Sequence, residues 1–195
     1  MVLPKSALGA QAAALKRNPR SGVLSNAQTA AGQLDPRVTT VSLTRGGRLN
    51  GSALAFRASL SRTETALARG TGLLGIGSDV DVFRDSAAAA GQMARSLGDL
   101  RALTGKRLRG GALLVRGAEF RVPRIADASH GMALTARIEG FDLHVTQVAF
   151  RRGRLLAGAF EIRAGSGNAN AAVDSLARRL DGRIERVLAK GGGRT

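Results

Sequence analysis

The chain has no cysteine, so disulfides, thiolate nucleophiles, thiolate metal sites and a lipid-bearing lipobox cysteine are all excluded within these 195 residues. Tyrosine and tryptophan are also missing, and six phenylalanines are the whole aromatic inventory, which argues against a base-stacking platform for single-stranded nucleic acid. No apolar run approaches the roughly 20 residues needed to cross a bilayer as a helix. Acidic residues are scarce, 14 against 30 lysines and arginines, for a formal charge of +16. Lysine is scarce as well, with only Lys5, Lys16, Lys106 and Lys190. An excess carried by dispersed arginines in an Ala- and Gly-rich chain fits a GC-rich coding bias as well as selection for an anionic partner.

What remains is a globular composition, 44% hydrophobic, of a length that suits one domain able to bury its own core. The expected organisation is a single α+β domain over residues 1–190 with a flexible tail at 191–195. A short helix is expected over Ser6 to Arg17, ended by Asn18-Pro19. Val38 to Leu43 and Ala53 to Ala58 flank GGRLNGS and read as a hairpin, with a third strand over Leu73 to Arg84. In that strand Val80 and Val82 share one face, and Asp79, Asp81 and Phe83 the other. Asp85 is placed to cap a helix over Ser86 to Leu103 with a stripe of Met93, Leu97 and Leu100.

Four strands follow, over Ala112 to Val122, Met132 to Ile138, Phe141 to Phe150 and Leu155 to Ile162, joined by tight turns at Glu139-Gly140 and Arg152-Gly153. The last helix carries Val173, Leu176, Ala177, Leu180, Ile184, Val187 and Leu188 on one face, a stripe suited to packing on a sheet. Val148 and Phe150 break the parity of Phe141, Leu143 and Val145, so the strands are apolar on both sides and call for cover on both. The fold class expected is therefore α+β, a largely antiparallel sheet of about six or seven strands flanked by helices on both faces.

This order resembles the Mog1p/PsbP-like three-layer sandwich, and the chain is similar to a group of secreted or lipid-anchored actinobacterial proteins. The words that carry the resemblance are LPKSALG, SGVLSNA, GGRLNG, SDVDVFRDSAAAAGQMA, VTQVAFRRGRLLAGAF and SLARRLDGRIERVL, which together span most of the sequence. The resemblance implies an extracytoplasmic, cell-envelope location and no particular enzymatic activity. Members of the group carry an export signal, which does not follow Met1 here, so the expectation is a targeting segment removed upstream of this numbering. Many also carry a tyrosine near the position of Ser52.

RGTGLLG holds a literal G-x-G-x-x-G at Gly70, Gly72 and Gly75, but the glycines precede a strand instead of joining a strand to a helix, so nucleotide binding is not expected. Asp127, Ser129 and His130 lie within four residues of one another in an expected loop, too close for a nucleophile, base and orienting acid to align. His144 alternates with Asp142 and Thr146 and reads as an ordinary sheet residue. Asp79 and Asp81 share a strand face, where they could share a proton or hold a cation, although a polar face paired with arginine is the simpler expectation.

The densest basic segment, from Arg101 to Arg124, carries seven cations against Glu119 alone. Lys106, Arg107 and Arg109, with Arg151, Arg152 and Arg154 in a second loop, are the candidate contacts for an anionic or protein partner. No catalytic residue, metal or cofactor is expected. The leading function is a non-enzymatic extracytoplasmic binding or assembly module. The alternative is an intracellular basic protein that holds nucleic acid through phosphate contacts, and a hydrolase with an unrecognised site comes third.

Overall fold

A computed structural model describes residues 1–33, 35–165 and 169–191; the side chains of residues 100 and 101 lie outside the description. Two 3₁₀ turns, Lys5–Leu8 and Ala10–Ala12, lead to strand β1 (Lys16–Arg17), β2 (Gly22–Leu24), helix α1 (Asn26–Gly32) and α2 (Thr40–Arg45). Then come β3 (Arg48–Arg57), α3 (Leu60–Ala68), β4 (Gly72–Phe83), α4 (Ser86–Leu103), β5 (Leu113–Phe120), β6 (Ala128–Ile138), β7 (Phe141–Arg152), β8 (Leu155–Ala164) and α5 (Asn170–Gly191). The strands form one sheet in the order β1-β3-β4-β8-β7-β6-β5, with β2 also on the outer edge of β3. Every pairing between these strands is antiparallel. The expected α+β class with a sheet covered on both faces is what the chain adopts, extended to eight strands by the short β1 and β2.

The period-3.6 stripe of α5 explains one layer. Val173, Leu176, Ala177, Leu180 and Ile184 are buried in a core with Ile76, Val80, Val148, Phe150, Ala157 and Ala159. Each large aliphatic side chain so buried stabilises the fold by roughly 1.5–3 kcal/mol. The 1–15 segment lies on the same face. Leu3, Leu8, Ala12 and Leu15 are buried there, Leu3 N–H donates to Ser78 Oγ at 2.9 Å, and Lys5 Nζ donates to the carbonyls of Ala13 and Leu15. Val187 and Leu188, expected on the packing stripe, are 41% and 47% exposed, so the buried stripe of α5 ends at Ile184.

The opposite face receives α4, where Leu97 and Leu103 pack against Leu108, Ala112, Leu114 and Met132. Asp85 caps α4 as expected, its carboxylate accepting from Ala88 N–H at 2.7 Å. Leu100, the third expected member of the α4 stripe, falls on a side chain outside the described residues.

Several local expectations fail for identifiable reasons. Ser6 to Arg17 is not one helix: Gly9, at φ 87°, divides it into two 3₁₀ turns, and Lys16-Arg17 joins the sheet opposite Phe56 and Arg57. Val38 to Leu43 is not a strand. Thr39 and Ser42 form a reciprocal capping box that starts α2, so paired backbone donors outweigh the β-branched composition. GGRLNGS is therefore no hairpin turn: β3 starts within it, at Arg48, and continues to Arg57 as a single strand. Leu60 to Ala68, given no element from sequence, is α3. DASHGM is mostly strand, because β6 starts at Ala128. Gly191 closes α5 and is not part of a free tail; the remaining tail residues, 192–195, are outside the described residues.

Candidate functional site

Strand register places Gly51, Asp79, Asp81, Gly77, Gly158, Phe160, Gln147 and His130 on the face that carries α4. The pair Asp79 and Asp81 thus shares a face, as their spacing requires. Their environments differ sharply. Asp81 Oδ1 is 2.7 Å from Nη2 of Arg48, whose side chain is only 1% exposed. Nη1 of Arg48 donates to Asn26 Oδ1 at 2.7 Å, and Asn26 Nδ2 returns donors to the Arg48 carbonyl and Thr44 Oγ1, each at 3.0 Å. Gly51 lies beneath this ion pair, and a Cβ there would run into both the carboxylate and the guanidinium. This is the physical reason for a glycine inside β3.

Asp79 is half-buried and has neither a hydrogen bond nor an ion pair among the described residues. Burial, then the charge of Asp81, pushes its carboxyl up to about 7, against the opposing pull of Arg48. Beside it, β8 carries Gly158 directly opposite Asp79. A Cβ on Gly158 would lie 3.2 Å from Asp79 Oδ1 and 3.2 Å from Gln147 Nε2. The carboxyl and the amide therefore flank one point above the Gly158 backbone, and Gln147 too has no side-chain hydrogen bond among the described residues. One row along, Phe160 pairs with both Gly77 and Gln147, and its ring lies over Gly77.

The two carboxylates do not share a proton, since Arg48 takes one of them. No group of three or more His, Cys, Asp or Glu able to hold a metal occurs among the described residues. Sequence reasoning singled out Asp79 and Asp81 but missed Gln147 and Gly158. A glycine inside an otherwise apolar strand, LLAGAF, was the available signal, because such a position marks a close approach.

The glycines of RGTGLLG answer to packing. Gly70 (φ 60°) and Gly72 (φ 131°) form the turn from α3 into β4, and Gly72 leaves room for Ala66, whose Cβ would lie 3.0 Å from an added one. The order is helix, turn, strand, the reverse of a dinucleotide cradle. His130 and Ser129 are adjacent on a strand and point to opposite faces, and Ser129 Oγ accepts from Ile125 N–H at 3.1 Å. Burial lowers the pKa of His130, partly countered by Glu119, and its Nε2 has no partner. His144 Nδ1 lies 3.2 Å from Thr135 Oγ1 across the β6–β7 pair.

The six basic candidates divide. Arg151 pairs with Asp127 at 3.0 Å, and Arg152 is held by Asp181 at 2.7 Å and Glu185 at 2.8 Å on α5. Arg109 donates to the Ala30 carbonyl of α1. Lys106, Arg107 and Arg154 are exposed, with no side-chain partner among the described residues. Arg107 pairs with Leu113 at the start of β5, beside Arg137 of β6 and Asp142 of β7, whereas Arg154 follows the far end of β7. Ten strand residues separate those ends, about 33 Å, so the two loops do not form one surface.

No protein-family model matches the chain, and no curated protein matches it significantly. Among solved structures the chain is similar to the extracellular domain of PknH from Mycobacterium tuberculosis, with a TM-score of 0.56 and 10% identity over 95% of this chain and 93% of that one. At that identity the likeness is one of fold. Among the described residues, no helix is long and apolar enough to cross a membrane.

Proposed function

We propose that this chain is a non-enzymatic binding domain that works outside the cytoplasm, in the cell envelope. The observation that carries the reading is the fold it shares, nearly end to end, with an actinobacterial extracellular domain. The resemblance to secreted or lipid-anchored actinobacterial proteins points the same way. In this reading the α5 face is scaffold, and the α4 face with its unpartnered polar groups is where a ligand is held. A binding role asks for convergent polar groups on a rigid sheet and for no activated nucleophile. The experiment is fractionation of the source cells with an antibody to this domain. Recovery in the envelope or secreted fraction is expected, and confinement to the cytoplasm overturns the reading. For the phosphate-contact alternative the readout is a duplex-DNA titration across salt, in which specific binding that persists at high salt would displace the envelope assignment.

A further inference from the structure

Two polar side chains on the α4 face are left without partners at the same place. Neither residue is fully buried, so solvent and not protein meets the carboxyl and the amide. Nothing local forces it. Arg48 is committed to Asp81, two residues further along β4 from Asp79, and Gly158 supplies no side chain to fill the gap. We propose that the Asp79 carboxyl and the Gln147 amide, held on either side of Gly158, bind an uncharged, hydroxyl-rich ligand of the saccharide class. The proposal rests on the binding-domain reading above and names what such a domain would take.

The chemistry selects this class over others. An anionic ligand would meet Asp79 and Asp81 at close range, with Arg48, the cation beside them among the described residues, already committed to Asp81. A metal ion would find a single free carboxylate. A hydroxyl suits both neighbours, because it donates to a carboxylate or accepts from a carboxylic acid, and it accepts from an amide N–H while donating to an amide oxygen. A carboxyl that titrates near neutrality can therefore hold a hydroxyl in either protonation state. Phe160, cross-strand neighbour of Gln147 and half-buried, adds an apolar ring beside the polar pair, which matches the mixed polar and C–H surface of a sugar ring.

The test is a ¹H–¹⁵N titration of the full chain with glucose, mannose, galactose, arabinose and trehalose, each to about 50 mM, a range that reaches millimolar dissociation constants. The expected result is saturable shifts at the Gly158 amide and the Gln147 side-chain amide with at least one of these sugars. Glucuronate should bind at least about tenfold more weakly than glucose, because its carboxylate faces Asp79. Gly158→Ala puts a methyl between the two polar atoms at an ordinary backbone conformation, and should weaken binding at least about tenfold while spectral dispersion is kept. Gln147→Leu should do the same and decides the matter if Gly158→Ala does not fold. The proposal is overturned if none of the neutral sugars shifts these resonances, if the shifts map elsewhere, if neither variant weakens them, or if glucuronate binds as well as glucose. A cytoplasmic location would remove the envelope assignment and leave this titration standing, so the two failures are distinguishable.

Discussion

The two faces of the sheet place their polar groups differently. Under α5 and the 1–15 segment, Ser78 Oγ receives the Leu3 amide and the buried Glu161 carboxylate is met by Arg163 and by Gln11 Nε2 at 3.2 Å, while Nε of Arg183 on α5 is buried without a partner among the described residues. Under α4, Nε of Arg48 and Nε2 of His130 are buried without partners among the described residues, and the half-buried Asp79 carboxyl and Gln147 amide make no side-chain hydrogen bond there. What sets the α4 face apart is a carboxyl and an amide side by side with no protein partner among the described residues, which on the reading proposed above makes it the binding surface.

The comparison is broken most directly from the scaffold side. Leu180 is fully buried in the α5 core, and Leu180→Ala should destabilise by about 2–5 kcal/mol in urea unfolding, since it removes packing and leaves a cavity. The polar groups of the α4 face lie across the sheet, so the pH dependence described below should survive that loss.

Arg48→Ala should cost about 3 kcal/mol, because it strands Asp81 and Asn26 beside each other with no cation between them. A variant with wild-type stability would show that the network carries no weight. Asp79→Asn should go the other way. Below about pH 3 the carboxyl is protonated in both the folded and unfolded states, and its burial costs nothing extra. As pH rises toward 7 the unfolded chain ionises while the native carboxyl keeps its proton, so the native state loses stability until its own carboxyl ionises. The variant should therefore match the parent at about pH 3 and exceed it by about 1–3 kcal/mol at pH 8, measured by urea melts at both values. Equal stability at both pH values would place Asp79 in ordinary solvent.

The smallest effect is expected at the loops. Arg107→Ser and Arg154→Ser should each change stability by less than about 0.5 kcal/mol, since both side chains are exposed and unpartnered. Arg152→Ser should cost more, because it frees Asp181 and Glu185 of α5.

Much of the scaffold was legible. The α5 stripe and the Asp85 cap are local patterns, and all six phenylalanines were placed in strands, where they lie. The failures share a cause. A six-residue helix at Thr40 and 3₁₀ turns at Lys5 and Ala10 are set by caps and by docking on the sheet, which composition over so few residues does not report. The site was half legible: Asp79 and Asp81 are two apart in sequence, whereas Gln147 and Gly158 reach them only through the sheet.

The sequence by itself determined the alternation that sends Asp79, Asp81 and Phe83 to one side of β4, the amphipathic α5, and a chemistry without thiols, tyrosine or tryptophan. Only the tertiary structure decided that β8 lies beside β4 with Gly158 opposite Asp79, that β7 brings Gln147 to the same point, and that Arg48 claims Asp81 and not Asp79. The physical reason is range. Side-chain direction along a strand follows from backbone geometry two residues at a time, whereas strand order and register are settled by which apolar faces the whole chain can bury together.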